Sequence, residues 1–159
     1  MASIMGTCGK YCGTRSGLSD VRPASFIDRV AVIRLLRDSH AAAGFAFPFS
    51  APHADALFRH HVAHGLVLVC GRPAQGVLMA ATFEHPFGAG RWAKETVWYV
   101  APEARGRSAI QMLDAYEAWA REQGCTTVGM ASLASNDVSR LYERRGYTPA
   151  ETHFVKPLG

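Results

Sequence analysis

The most informative segment of the chain reads Trp98-Tyr99-Val100-Ala101-Pro102-Glu103-Ala104-Arg105-Gly106-Arg107-Ser108-Ala109-Ile110. An apolar strand enters a proline-containing turn, and a run of Arg, Gly and Ser then opens a long amphipathic helix. The first backbone N–H groups of a helix have no acceptor within it, and the helix dipole is positive there, so this end attracts phosphate. Arg105 and Arg107 add positive charge. The segment therefore predicts an anion site at the end of a strand, where open α/β sheets bind ligands.

The composition is typical of a single globular domain, because 48% of the 159 residues are hydrophobic and 19% are charged. We expect residues 1–19, rich in Gly, Ser, Thr and Cys, to form a flexible extension and residues 20–159 to form the domain. No apolar run reaches the ~20 residues of a membrane span, so no membrane partner is expected. The net charge of +4 suits an anionic ligand, whereas the lack of a dense basic tract argues against nucleic acid.

The four cysteines indicate a reducing compartment. Cys70 lies in an apolar strand and Cys125 follows a glycine at a helix end, so both are expected to be small core residues. Cys8 and Cys12 stand in the N-terminal extension without the two further ligands that a zinc site needs. We therefore expect a cytoplasmic protein with free thiols and no metal.

Hydrophobic periodicity predicts a mixed α/β domain in which strands alternate with helices only in the second half. The early strands are expected to form antiparallel hairpins, with helices on the faces of a mixed sheet. The predicted elements are a strand 20–23, a helix capped by Ser25 and ending near Gly44, a helix 54–64, strands 66–70, 76–83 and 95–100, a helix 107–123, a strand 126–131, a helix capped by Ser135 or Asn136 and ending at Gly146, and closing strands from Tyr147 onward.

Two motifs, in this order, resemble the signatures of the GCN5-related N-acetyltransferase (GNAT) family. Val100-x-Pro102-x-x-Arg105-Gly106 is similar to the acetyl-CoA signature, in which an Arg/Gln-x-x-Gly-x-Gly/Ala loop holds the pyrophosphate. Ser108 and Ile110 occupy its two later glycine positions. The second motif is Ser135-Asn136-x-x-Ser139-x-Leu141-Tyr142-x-x-x-Gly146-Tyr147. The resemblance covers roughly residues 21–158 and implies one domain with a mixed, mostly antiparallel sheet of six to seven strands flanked by about four helices.

The resemblance also implies a reaction and a set of site residues. A primary amine of an acceptor would attack the thioester of acetyl-CoA directly, with Tyr142 protonating the departing thiolate and Glu95 acting as the base, and with Glu84 in reserve. Strand alternation places Glu95 on one face with Val97 and Tyr99 unless a bulge intervenes. The residues implied in cofactor binding are Trp98, Tyr99, Val100, Arg105, Gly106, Arg107, Ser108, Ala109, Ile110 and Asn136.

Each of these assignments has a structural alternative that the sequence leaves open. Tyr142 could be a core tyrosine, Glu95 could form a surface ion pair with Lys94, and Asn136 could cap a helix. The function also has alternatives. Ser108 and Ile110 would suit a catalytically silent acyl-CoA-binding regulatory module, and the pI near 9.1 would permit a toxin that acetylates aminoacyl-tRNA. A homodimer, the commonest assembly, is compatible with all of them.

Two further groups of residues are ambiguous. Phe45, Phe47, Phe49 and His53 stand where the resembling family places the wall of its acceptor site, but they would equally suit a loop folded onto the core. In the run His60-His61-x-x-His64, His60 and His64 share a helix face, yet no Glu stands between them in the zinc-protease pattern and no third ligand is evident. A half-exposed helix is the preferred interpretation of these histidines.

Overall fold

A computed structural model describes residues 20–88 and 90–158. The predicted N-terminal extension, with Cys8 and Cys12, lies outside the described residues. The strands are β1 (Val21–Pro23), β2 (Leu66–Cys70), β3 (Gly76–Glu84), β4 (Arg91–Val100) and β5 (Thr127–Gly129). The α-helices are α1 (Arg29–Ala43), α2 (Ala51–His64), α3 (Arg107–Glu122) and α4 (Ser139–Arg144), and short 3-10 turns occupy Phe26–Asp28 and Pro102–Ala104.

The sheet follows the chain order β1-β2-β3-β4-β5, with antiparallel pairs except for the parallel pair β4–β5. A mixed sheet and four α-helices confirm the predicted class. The predicted six to seven strands are not confirmed, because residues 147–158 form no strand and Phe154, Val155 and Leu158 are exposed. Pro149 and Pro157 bound this segment and lack the N–H donor that a ladder uses.

Each face of the sheet carries its own core, as strand alternation requires. On one face, Met112, Leu113 and Tyr116 of α3 pack with Tyr142 of α4 over the sheet. On the other face, α1 and α2 supply the buried side chains, with Phe58 fully buried. The apolar stripe predicted for α3 therefore points to the sheet. Strand β2 is buried along its whole length, which agrees with its continuous apolar sequence.

Helix α4 is held against α3 by charged side chains on their outer surfaces. Arg145 donates to Asp114 at 2.5 Å and to Glu117 at 3.1 Å. These ion pairs hold the C-terminal end of α4 against α3 and so position Tyr142. The ring centroid of Tyr142 lies 6.1 Å from that of Trp98 in β4. The anchoring brings the second sequence motif next to the strand that leads into the first.

Strand β5 pairs along its whole length, residues 127–129, with residues 92–94 near the start of β4. Beyond Lys94, β4 continues to Val100 while the chain after Gly129 leaves the sheet. One edge of β4 is therefore without a partner strand over residues 95–100 in the described structure. A groove of about 270 Å³ opens there.

Several element boundaries differ from the predicted ones. Helix α2 begins three residues early because Ser50 caps it, accepting a hydrogen bond from the His53 N–H at 3.3 Å. Strand β4 begins at Arg91 rather than at Glu95. Helix α4 begins at Ser139 with Val138 at the N-cap position, so neither Ser135 nor Asn136 caps it; the Ser139 N–H instead donates to Asp137 Oδ1 at 2.9 Å.

Candidate active site

The groove beside β4 brings together most of the predicted site residues. Both candidate catalytic residues, Glu95 and Tyr142, line it. The predicted cofactor residues that line it are Trp98, Tyr99, Val100, Arg105, Ala109 and Asn136. Gly106, Arg107, Ser108 and Ile110 are not among the lining residues; they form the start of α3 beside the groove.

A β-bulge in β4 decides where Glu95 points. Met79 of β3 pairs with Val97, but its neighbour Ala80 pairs with Glu95, so Thr96 is an extra residue on β4. Because of the extra residue, the side chains of Glu95 and Val97 point to opposite faces of the sheet. Val97 and Tyr99 pack towards α1 and α2, whereas Glu95 faces Ala131 on the α3–α4 side. The prediction that Glu95, Val97 and Tyr99 share a face holds only for an unbulged strand, so it is wrong here.

The Glu95 carboxyl group is half-buried and only partly satisfied. Its Oε1 accepts a hydrogen bond from the Ala131 N–H at 3.1 Å, whereas its Oε2 is buried without a hydrogen-bond partner among the described residues. Burial raises the pKa of Glu95 to about 7, against the opposing effects of the Ala131 N–H and of Lys94. Lys94 makes its salt bridge with Glu151 at 3.3 Å, so the surface ion pair considered for Glu95 is not formed. A carboxylate of this kind can accept a proton near neutral pH.

Ala131 connects the two candidate catalytic residues through its backbone. Its N–H donates to Glu95, and its carbonyl accepts a hydrogen bond from the Tyr142 hydroxyl at 2.9 Å. Tyr142 is only 6% exposed, and burial raises its pKa above the usual value, so the phenol stays protonated at neutral pH. The tyrosine is thus a core residue that also lines the groove. No side-chain pattern could have revealed Ala131, because it contributes only main-chain atoms.

The predicted anion site lies where β4 ends. Gly106 caps α3 with φ 107° and ψ −121°, the mirror image of an extended conformation that side-chain-bearing residues avoid. The first backbone bond of α3 runs from the Ile110 N–H to the Gly106 carbonyl, so the preceding amides have no acceptor within the helix. Arg105 is exposed, and its Nε donates to the Val100 carbonyl at 3.2 Å, which holds the side chain beside the groove.

The other residues of the anion loop differ in exposure. Arg107 is exposed at the helix start, and Ser108 and Ile110 are half-buried. Ala109 packs against the core and also lines the groove. The small Ala109 therefore occupies the groove side of the first turn.

A hydrogen-bonded pair behind the bulge was not predicted as part of the site. Thr96 Oγ1 lies 2.8 Å from His61 Nε2, and His61 Nδ1 lies 3.0 Å from the Leu57 carbonyl. The carbonyl can only accept, so the neutral imidazole donates from Nδ1 and accepts the Thr96 hydroxyl proton at Nε2. Burial lowers the pKa of His61, which favours this neutral form. Spacing was a usable signal, since His61 follows the buried Ala54 and Phe58 at helical intervals.

We expect Thr96→Val to reduce the free energy of unfolding by about 0.5–1.5 kcal/mol, because it removes the hydroxyl that donates to Nε2 of the buried His61. The variant also frees the bulge that orients Glu95, so any turnover that depends on Glu95 should fall while ligand binding at the start of α3 is retained. Urea denaturation and initial rates measure the two effects. Thr82→Val, the same change on β3, serves as the control. Equal losses of stability and turnover in both variants would show that the bulge and its hydrogen bond to His61 do not cause them.

The remaining candidates lie away from the groove or make no cluster. Glu84, the reserve base, stands at the far end of the sheet beside Arg91 at 3.7 Å. His60 and His64 are exposed on α2, whereas His61 is buried on the same side as Ala54 and Phe58, so α2 is the half-exposed helix that was expected. Within residues 20–88 and 90–158, no group of three or more His, Cys, Asp or Glu side chains is placed to hold a metal. None of the helices in this part of the chain is long and apolar enough to cross a membrane.

Comparison with known proteins identifies the family. The model of the acetyltransferase (GNAT) family matches residues 29–147. The chain belongs to this family. Its members are acetyltransferases that use acetyl-CoA, so GNAT membership makes this chain an acyltransferase by family. A search of curated proteins found no match.

Solved structures share the GNAT fold with this chain. A predicted acetyltransferase from Clostridium acetobutylicum, solved with acetyl-CoA, is 16% identical, with 87% of this chain and 95% of that chain covered and a TM-score of 0.72. A transcriptional regulator from Bacillus halodurans is 17% identical over 87% and 98%, with a TM-score of 0.71. An aminoglycoside antibiotic 6'-N-acetyltransferase from Acinetobacter haemolyticus is 20% identical over 87% and 99%, with a TM-score of 0.65. At these identities the likeness shows the fold alone.

Proposed function

We propose that the protein is an N-acetyltransferase that transfers the acetyl group of acetyl-CoA to a primary amine by direct attack. The observation that carries the proposal is the Glu95 carboxyl group, whose Oε2 is buried without a hydrogen-bond partner among the described residues at the edge of β4. A pKa of about 7 is suited to removing a proton near neutral pH. A protein that only bound acyl-CoA would gain nothing from a buried, half-satisfied carboxylate at this place.

The residues around the groove fit acetyl-CoA. The free amides at the start of α3, with Arg105 and Arg107 nearby, suit a pyrophosphate. The unpaired edge of β4 over 98–100 offers backbone donors and acceptors to the amides of a pantetheine arm, in the manner of an added strand. Ser108 retains a small side chain and a hydroxyl donor in the loop, and Asn136 lines the opposite wall.

Acetyl-CoA supplies the acetyl group as a thioester, and the residues of this chain manage the protons. Glu95 takes a proton from the acceptor ammonium, directly or through water, which leaves a neutral amine able to form the new C–N bond. As that bond forms and the C–S bond breaks, a backbone N–H of residues 98–100 can stabilise the negative charge on the carbonyl oxygen. The departing thiolate takes a proton from the Tyr142 hydroxyl. The excess proton on the amide nitrogen then passes through water to the Tyr142 phenolate, which restores the phenol, and Glu95 releases its proton to solvent.

The same geometry can be compared with the alternative functions and with the expected cellular compartment. The silent-module alternative is favoured only by Ser108 and Ile110, neither of which lines the groove. For a tRNA substrate, the described lining of the groove offers a single cation, Arg105. Cys70 and Cys125 are free thiols, which supports placement in a reducing compartment such as the cytoplasm. A homodimer stays a prediction.

Acetyl-CoA is expected to raise the melting temperature, because a ligand that binds only the folded state stabilises it, by about 2.7 kcal/mol at 100 times Kd. Thermal denaturation with and without millimolar acetyl-CoA measures this shift. Desulfo-CoA, which lacks the sulfur and the acetyl group, serves as a comparison for binding of the rest of the molecule. A turnover screen over primary amines, read by thiol release, then tests transfer. Stabilisation without turnover of any amine would favour the silent module, and no stabilisation would count against acetyl-CoA itself.

Tyr142→Phe is expected to lower kcat by about 10- to 100-fold with little change in the affinity for acetyl-CoA, because it removes the proton donor to the thiolate and leaves the ring in place. Steady-state kinetics and calorimetric titration separate the two quantities. Tyr147→Phe is the matched control. Its ring centroid lies 5.6 Å from that of Tyr142, but its hydroxyl donates to Glu117 and it does not line the groove. Equal turnover in the parent and the Tyr142 variant would remove Tyr142 from catalysis.

A further inference from the structure

Four aromatic rings meet where the connection between α1 and α2 reaches the groove. The His40 ring lies 5.7, 5.1 and 5.8 Å, between centroids, from the rings of Phe45, Phe47 and Phe49. Phe45 and Phe47 are stacked on each other, with centroids 5.2 Å apart and an interplanar angle of 20°. We call these four residues the aromatic cluster. Its Phe45 is one of the residues that line the groove.

The cluster is anchored at its base and open at its top. Phe49 packs against the core under α1 and α2, and Ser50, the next residue, caps α2. His40 Nε2 is buried without a hydrogen-bond partner among the described residues, so this edge of the ring faces apolar neighbours. By contrast, Phe45 is 46% exposed and Phe47 is 60% exposed. Two stacked phenyl rings left open beside a groove mark a surface for an apolar ligand group.

The charged residues along the groove restrict further the class of ligand that fits it. Phe45 of the aromatic cluster lines the groove together with Ser39 and Ala43 of α1. Among the described residues that line the groove, the charged side chains are Glu95 and Arg105. Arg105 belongs to the corner at the start of α3, so the part shared by Glu95 and the cluster presents one carboxyl group and an otherwise uncharged, largely apolar wall.

We propose that the acceptor is an arylalkylamine, a primary amine joined by a short chain to an aromatic ring. This inference rests on the proposed acetyltransferase function and names its substrate class. The ring packs on Phe45 and Phe47, and the ammonium group points to the Glu95 carboxylate, which takes its proton. A polycationic aminoglycoside suits the groove less well, because its several ammonium groups would have a single lining carboxylate, Glu95, to pair with.

The test compares kcat/KM for 2-phenylethylamine, ethanolamine and kanamycin at saturating acetyl-CoA. We expect 2-phenylethylamine to exceed ethanolamine at least tenfold, and the double variant Phe45→Ala/Phe47→Ala to bring the ratio of the two towards one. Phe87→Ala is the matched control, since Phe87 is 90% exposed on the β3–β4 turn and does not line the groove. That variant should keep the ratio of the parent.

Binding to an inactive enzyme separates this inference from the proposed function. Calorimetric titration of Glu95→Gln, with acetyl-CoA bound, should show 2-phenylethylamine binding at least tenfold more tightly than ethanolamine. Equal kcat/KM for the two amines, kanamycin as the best substrate, or a preference that survives the double variant would overturn the aromatic site while leaving acetyl transfer intact. Binding of acetyl-CoA with no turnover of any amine would instead overturn the proposed function, and this inference with it.

Discussion

Glu95→Gln is expected to lower kcat by about 10²- to 10⁴-fold, the range that a positioned general base contributes. Glutamine preserves the size of the side chain and an acceptor for the Ala131 N–H, so the loss isolates the ability of Oε2 to take a proton. Initial rates at saturating acetyl-CoA and amine measure the effect. The affinity for acetyl-CoA should change little, because the carboxylate acts on the acceptor ammonium.

Glu84→Gln is the matched control for this variant. Glu84 also stands on the central sheet, but its side chain is 75% exposed and lies at the end remote from the groove. Its replacement should leave kcat within twofold of the parent. If both variants keep full turnover, proton removal belongs to another group or to water, and the assignment of Glu95 fails.

The pH profile gives the same assignment an independent check. Since the base must be ionised and its pKa is about 7, kcat/KM of the parent should rise with pH through a limb centred near 7. The Gln variant should lack this limb. A limb that persists in the variant would show that a different group titrates.

Whereas kcat/KM should rise with pH, the contribution of Glu95 to the stability of the folded protein should fall. Glu95 ionises in the unfolded chain near pH 4.5 but in the folded protein only near 7, so the unfolded state binds fewer protons between these values. Its contribution to the free energy of unfolding therefore falls as pH rises from 4.5 to 7. Glu95→Gln removes this cost, and at pH 8 urea denaturation should find it at least as stable as the parent. A loss of activity in this variant cannot then be attributed to unfolding.

The fold was largely predictable because its strongest signals are local. Helix α3 carries an apolar stripe at helical spacing, and β2 is a continuous apolar run between two glycines; both appear as expected. The start of β4 was missed because residues 91–94 are mostly polar or small. Pairing with β3, for example of Trp92 with Phe83, and with β5 makes them a strand. Such non-local pairing leaves no pattern in the strand itself.

The site, too, has features that local sequence predicts and features that depend on non-local pairing. Tyr142 belongs to the second motif and Glu95 is predicted from its place on the strand that leads into the first, and both line the groove. The direction of Glu95 was not predictable, because it depends on the bulge at Thr96, which is a property of the register between two strands. Nor was the role of Ala131, whose peptide group lies between both side chains only because the chain leaves β5 at that point.

Gly106→Ala is expected to weaken the binding of acetyl-CoA at least tenfold. Nothing lies within 4 Å of a Cβ built at this position, so the effect does not come from a clash with the rest of the protein. It comes from the backbone, because φ 107° with ψ −121° is open to glycine and closed to alanine. The variant must rotate this peptide group, and the amides at the start of α3 then no longer converge on a pyrophosphate. Calorimetric titration with acetyl-CoA measures the loss.

Gly124→Ala, which follows the other end of the same helix, separates binding from stability. Gly124 also has a positive φ, of 72°, and equally open surroundings, so alanine there costs about 1–2 kcal/mol of backbone strain. Both variants should therefore melt at lower temperature, but only Gly106→Ala should lose affinity for acetyl-CoA. If the two variants bind it equally well, the start of α3 does not hold the pyrophosphate. The strand edge of β4 and the guanidinium of Arg105, whose two terminal nitrogens make no hydrogen bond with the described residues, would then have to provide most of the binding energy.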